Sequence, residues 1–307
     1  MIGAAACTPG VARSAHLAWQ PLKLVGGSPV VFEVNAPAGT RAVSGIWLQH
    51  EITFFPITRS SSLMKMTSPR KQSLTLSDSH WYCLAGIPLE TVPGAYPLKI
   101  NELLRDGTSR ELSWPIGIGR AFFPKITVKV ARQYTEPSPE QLRQINLDKD
   151  LKQRIFASEN PERRWDGPFL APVSAAISDV FGTARIFNGA VQSRHLGLDY
   201  AVSSGTAVDS VNAGLVILAR PLYFEGNCVV IDHGQGLLSL YLHLSEFKVK
   251  EGEQVRKGQL IGLSGGTGRA SGPHLHLAIR WRGVYLNPQT LLQLRLPVPA
   301  AGVEGLF

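Results

Sequence analysis

The chain has 307 residues, 44% hydrophobic and 18% charged, with a formal net charge of +8. That is enough for two domains with a buried core, and the charge favours anionic partners such as nucleic acid, a membrane surface or an acidic wall polymer without choosing among them. Nucleic acid is disfavoured because the basic residues are dispersed, with no basic run and no aromatic ladder; an internal membrane helix is excluded because no apolar stretch reaches about 18 residues.

Thirty glycines and twenty-one prolines, with few long helical patterns, predict a mostly β protein of short strands and tight turns. Residues 1–18 read as a possible remnant of an export signal or membrane anchor. Small side chains precede Cys7 there, but a basic start and a full apolar run are missing. Cys7, Cys83 and Cys228 match neither a disulfide framework nor a paired-cysteine metal site.

Residues 19–130 alternate β-type runs at 30–34, 45–48, 52–55, 81–84 and 96–100 with turns such as Pro93-Gly94 and Asp106-Gly107. Their spacing predicts an immunoglobulin-like sandwich of about 100 residues. His50 and His80 lie here without carboxylate or cysteine partners at ligand spacing, and read as exposed or structurally bonded rings. Residues 131–166 form a polar, charged linker. Within it Ser138, Pro139 and Gln141 supply cap, first-turn proline and capping-box partner, so a helix is expected from Pro139 to about Ala157, before the Asn160-Pro161 stop. Residues 167–295 return to short strands and glycine turns and predict a second all-β domain, with a tail at 296–307.

The histidines concentrate in that second domain. His274 and His276 stand two apart in an apolar run, so on a strand both rings face one volume. His195 and Asp199 are four apart, about 13 Å along a straight strand, and Gly197 between them can bend the chain and bring them together. Each motif has a plain alternative: a core imidazole bonded to a carbonyl, or a helical or loop ion pair. In residues 240–244 strict alternation puts Tyr241 and His243 on one face, away from Leu240, Leu242 and Leu244. His233 reads as a turn residue.

Taken in order, H-x-x-x-D, then His243, then H-x-H resembles the LytM-type, lysostaphin-like zinc metallopeptidases of peptidase family M23 over roughly residues 169–287. The stretches at 205–208, 213–214, 226–234, 255–259 and 265–276 look like the family's turns and strands. The resemblance implies an antiparallel LytM-type domain in which His195, Asp199 and His276 hold Zn²⁺ and His243 and His274 form the catalytic pair. Three protein ligands with one open position are also the general pattern of a catalytic zinc. There is no H-E-x-x-H motif, so histidine must serve where that class uses glutamate. Asp232 and Tyr241 are candidate supporting groups. Ala207 stands where the family often has proline, and Ser264-Gly265-Gly266 replaces a more usual asparagine-glycine turn.

The implied function is hydrolysis of peptide cross-links in bacterial peptidoglycan, acting on stem peptides or cross-bridges. The expected location is outside the cytoplasm, in the periplasm or cell envelope. The alternative is a non-catalytic wall-binding or regulatory module on the same fold. The N-terminal domain could target the enzyme, shield its groove or bind a partner, and oligomeric state is not readable.

Overall fold

The computed structural model describes residues 16–57, 79–157, 160–189 and 191–296. The expected anchor segment with Cys7, apart from residues 16–18, and the expected tail beyond residue 296 lie outside the described residues.

The N-terminal part comprises β1 (His16–Gln20), β2 (Pro29–Ala36), β3 (Thr40–Trp47), β4 (His50–Thr53), β5 (Phe55–Pro56), β6 (Ser79–Gly86), β7 (Gly94–Leu104) and β8 (Ser109–Ile118). They form two antiparallel sheets, ordered β1-β2-β6-β5 and β4-β3-β7-β8. Strand β7 alternates buried and exposed residues, as a sheet with one solvated face requires. Phe32 and Trp47 meet edge to face between the sheets at 5.2 Å, and the Trp47 indole donates to the Gly86 carbonyl at 3.0 Å. Neither histidine expected to be structural is idle. His80 Nδ1 lies 3.4 Å from the buried Glu33 carboxylate, a partner brought in by strand pairing and invisible to sequence spacing, while His50 packs on Trp281 at 5.1 Å.

Next come β9 (Lys125–Val128) and an 18-residue helix, Pro139–Phe156. The helix starts at Ser138 with the expected reciprocal capping box, worth about 1 kcal/mol. It does more than connect: its Leu151, Ile155 and Phe156 pack on Leu218, Leu222, Cys228, Val230, Leu238, Leu240 and Ala278.

The C-terminal part contains β10 (Ile177–Asp179), β11 (Ala184–Phe187), β12 (Val191–Arg194), β13 (Leu198–Tyr200), β14 (Ala207–Asp209), β15 (Gly214–Leu222), β16 (Gly226–Asp232), β17 (Leu237–Leu244), β18 (Glu246–Phe247), β19 (Gln254–Val255), β20 (Leu260–Leu263), β21 (Leu275–Trp281) and β22 (Val284–Leu286). The main sheet runs β10-β13-β21-β17-β16-β15-β19, with β22 beside β21. Small three-stranded sheets, β12-β11-β9 and β14-β20-β18, flank it. Strand β9 thus joins the β11-β12 hairpin in parallel and ties the connecting segment to this part of the fold.

Both faces of the main sheet are covered, which is why β17 and β21 are buried almost throughout. One face, with Tyr241, Leu277 and Val229, shares a continuous core with the N-terminal sandwich. The joint is close: a Cβ on Gly86 would fall 2.6 Å from Leu286 Cδ2, and Asn287 N–H donates to the Gly27 carbonyl at 2.8 Å. The opposite face is shared between the helix and the site.

Candidate metal centre

Strand register fixes which side chains share the site face. Asp199 on β13 pairs with His276 on β21, and His276 pairs with Leu242 on β17; directly opposed residues point the same way. His195 follows β12, and Gly197 turns the chain so that His195 Nε2 comes 3.0 Å from Asp199 Oδ1. The predicted bend is there, and it serves a second purpose. A Cβ at Gly197 would fall 2.5 Å from His276 Cε1 and 2.5 Å from the Leu277 carbonyl oxygen, so only glycine lets the His276 ring lie against this loop.

Three donor atoms converge: His195 Nε2, Asp199 Oδ1 and His276 Nδ1, separated by 3.0, 3.0 and 2.7 Å. All three residues are buried, and together they are a group able to hold a metal ion. The donor chemistry fits one. His195 Nδ1 lies 2.8 Å from the Val180 carbonyl, which can only accept, so the neutral ring keeps its proton on Nδ1. Its Nε2 lone pair then faces the Asp199 carboxylate, two acceptors at hydrogen-bond distance, an arrangement that a cation between them relieves. Nitrogen, nitrogen and oxygen are zinc-type donors, and tetrahedral zinc with bonds near 2.0–2.1 Å sets them roughly 3.3 Å apart, a few tenths of an ångström from the observed spacing.

Electrostatics reinforce the trio. Burial would raise the Asp199 pKa, but the adjoining His195 and His276 rings outweigh it and hold the carboxyl well below the usual range. Burial pushes His276 down to about 4, against the opposing pull of Asp199. The second oxygen of Asp199 is paired with the Arg185 guanidinium, which also bonds Asp179 at 2.5–2.8 Å. Asp179 in turn accepts from Thr183 Oγ1 at 2.8 Å and sits 3.4 Å from His195 Nδ1. Arg185 and Asp179 were not singled out from the sequence; both lie at the edges of strands of three or four residues, and no local motif marks them.

Two further imidazoles border the trio. His274 precedes β21, bridged to Gly265, and its Nε2 lies 3.9 Å from Asp199 Oδ1. The His243 and His274 rings are 4.7 Å apart, and His243 is 6.1 Å from His276. Each has its Nδ1 against a carbonyl, Thr267 at 2.8 Å for His243 and Gly272 at 2.9 Å for His274, so each neutral ring carries its lone pair on Nε2. Burial, then the neighbouring His274 and His276, depress the His243 pKa to about 3.

His243 reaches this face by a route strict alternation does not give. Leu242 and His243 together occupy the gap in the β16-β17 ladder between the pairs Val229↔Tyr241 and Asn227↔Leu244, a β-bulge, and His243 adopts φ +63°. The bulge swings His243 to the His276 face, whereas Tyr241, paired with Leu277, lies on the opposite one. The expectation that Tyr241 and His243 share a face is therefore corrected. Tyr241 is fully buried, accepts from Val211 N–H at 2.8 Å and lies 3.1 Å from the Ser239 hydroxyl. Asp232 pairs with Arg164 at 3.0 Å and caps the Gly234 N–H at 2.7 Å. Neither supports the trio. His233 is structural, held between the Ala213 carbonyl at 2.7 Å and Ser239 Oγ at 2.8 Å.

Residues 193–288, which hold all five of these imidazole and carboxylate groups, match the model of peptidase family M23. Among relatives, peptidoglycan DD-endopeptidase ShyA of Vibrio cholerae is 42% identical over 152 residues, 50% of this chain and 30% of that protein. DD-carboxypeptidase/endopeptidase Mpg of Neisseria meningitidis is 42% identical over 105 residues, 34% of this chain and 24% of its own. The matches thus span less than a third of either relative. A Pseudomonas aeruginosa crystal structure assigned to peptidase M23 shares 25% identity at a TM-score of 0.62, covering 88% of this chain and 95% of its own, so the likeness in fold extends well beyond residues 193–288.

Proposed function

We propose that the protein is a zinc-dependent endopeptidase that hydrolyses peptide cross-links of bacterial peptidoglycan. The observation that carries this reading is the convergence of three metal-type donors, His195, Asp199 and His276, beside two imidazoles, His243 and His274, whose Nε2 lone pairs are both left open. Zinc held by the trio would polarise the scissile carbonyl and acidify a water.

The protein's own groups do the rest. Arg185 occupies Asp199 Oδ2 and leaves Oδ1 for the ion. The Val180 carbonyl orients His195, fixing the tautomer that offers Nε2. His243 and His274 carry one proton from the attacking water to the leaving amine nitrogen: it is taken up at an Nε2 atom, held while the carbon–nitrogen bond breaks, and delivered to the nitrogen. The carbonyls on their Nδ1–H groups stabilise the transient imidazolium. Burial, which pushes its pKa down to about 3, keeps His243 neutral at ordinary working pH.

The relatives named for peptidoglycan endopeptidase activity support the substrate class, stem peptides or cross-bridges. Such a substrate supports a location in the periplasm or cell envelope; no helix among the described residues is long and apolar enough to cross a membrane. Digestion of purified peptidoglycan with the zinc-loaded protein, followed by mass spectrometry of the released muropeptides, tests the reading. New peptide ends that disappear with a chelator and in His243→Ala, with glycan strands intact, are expected. No products from a protein shown to hold one zinc would refute it and favour a binding or regulatory role.

A further inference from the structure

Beside the site stands a cation that the proposed mechanism does not use. Arg269 lies in the loop between β20 and β21, half-buried, its guanidinium carbon 4.5 Å from the Phe187 ring centre and 4.6 Å from that of Phe224. Two aromatic rings thus flank the guanidinium.

No anion is hydrogen-bonded to the guanidinium among the described residues. Among the described residues no hydrogen bond is made by the Arg269 side chain, and no carboxylate oxygen lies within 4.0 Å of it. Glu225 attracts it from beyond that distance, its Oε1 paired with Lys152 and its buried Oε2 without a hydrogen-bond partner. Burial disfavours the charge on Arg269, and Arg185 repels it. A guanidinium held in a partly desolvated place, attracted by Glu225 but hydrogen-bonded to no anion, has donors left for one.

Its position ties it to the reaction. Phe187 and Arg185 are two apart on β11 and share a face, with Cα atoms roughly 6–7 Å apart. Arg185 touches the metal ligand Asp199, while Phe187 holds Arg269. On the other side, Thr267 uses its carbonyl to orient His243 only two residues before Arg269. The loop is seated firmly: Arg269 N–H donates to the Phe224 carbonyl at 2.8 Å, and a Cβ on Gly268 would fall 2.7 Å from Gly226 Cα. Arg269 is thus tied through Phe187 and Thr267 to the strand and the loop that hold Arg185 and His243.

We propose that Arg269 is a specificity-determining residue that binds a free carboxylate of the substrate peptide close to the scissile bond, so that the enzyme selects acidic cross-links over amidated or all-glycine ones. This rests on the endopeptidase reading and narrows its substrate. The carboxylate would take the N–H edge in the bidentate manner a guanidinium favours, with the Phe187 and Phe224 rings keeping water from the contact.

The test uses the full zinc-loaded chain and two synthetic cross-linked peptides, identical except that the diaminopimelate side-chain carboxylate beside the D-alanyl junction is free in one and a carboxamide in the other. The parent protein is expected to favour the acid by about 10- to 100-fold in kcat/KM, mainly through KM, as a hydrogen-bonded charge contact gives. Arg269→Gln should bring that ratio close to one, with Arg269→Lys between, and zinc content and unfolding midpoint should match the parent's. A parent ratio near one, or a ratio unchanged in Arg269→Gln, overturns the proposal, and an equal loss on both peptides shows Arg269 to be structural. Should neither peptide be cut, calorimetric dissociation constants apply the same ratio test; a retained binding ratio would sustain the carboxylate contact while the endopeptidase reading falls.

Discussion

Substituting Gly197 by alanine isolates the role of close approach in the metal centre. The residue does not have a positive φ, so alanine meets no backbone strain there, and the whole effect must come from space. The added methyl would lie 2.5 Å from His276 Cε1 and 2.5 Å from the Leu277 carbonyl oxygen. The carbonyl belongs to β21, whose ladder resists a shift, so the His276 ring must yield. Overpacking of this kind costs about 1–3 kcal/mol, visible as lower stability of the metal-free protein in urea. Moving the ring also moves Nδ1 out of the trio. Disturbing only the hydrogen-bonded neighbours of a ligand weakens metal binding about 10–100-fold, and displacing the ligand itself belongs at or above the top of that range. Competitive zinc titration against a chromophoric chelator reads this directly. Gly117→Ala, whose Cβ meets nothing within 4 Å, is the control. The reasoning fails if Gly197→Ala binds zinc within about threefold of the parent and unfolds within about 0.5 kcal/mol of it.

His195→Ala removes one donor outright and should abolish both zinc retention on dialysis and peptidoglycan cleavage; retained activity would refute the ligand assignment. Arg185→Gln frees Asp199 Oδ2 and should weaken zinc binding about 10–100-fold in the same titration, with the fold intact by circular dichroism. An affinity equal to the parent's would show that Arg185 does not position Asp199. His233 makes stability depend on pH: burial lowers its pKa from 6.5 to about 4, so the native state excludes a proton the unfolded chain takes up. Its contribution is full above pH 6.5 and lost as pH falls toward 4, about 3 kcal/mol at 1.36 kcal/mol per pH unit. Urea midpoints of the parent minus those of His233→Asn should decline across that window, and a flat difference would sink the account.

What could be read from the sequence was what local rules govern. The capping box at Ser138 sets the helix start because cap chemistry is contained in four residues. The apolar run around His276 makes β21, since a strand covered on both faces is apolar nearly throughout. The bend at Gly197 was legible because a straight chain could not bring His195 to Asp199. Residues 208–219, by contrast, divide into β14 and β15 on different sheets, and β10 to β13 are too short to show a period. Arg185 reaches Asp199 only through the β11-β12 hairpin and the pairing of β13 with β10 and β21, which no spacing in the sequence encodes.

The placing of Tyr241 with His243 failed for a reason that also explains how the site works. Residues inside a ladder have their backbone carbonyls engaged by neighbouring strands, so a carbonyl able to hold an imidazole Nδ1 must come from where pairing stops. The three that do so here, Val180, Thr267 and Gly272, all lie outside the strands. Asp199 and His276, which need only rigid placement, sit within paired strands. His195 and His274, which need a fixed tautomer as well, sit just outside strand ends, and His243 is delivered by a bulge. The pattern of alternation breaks at His243, since a strictly alternating strand would have turned its ring to the Tyr241 face, away from His276 and Asp199.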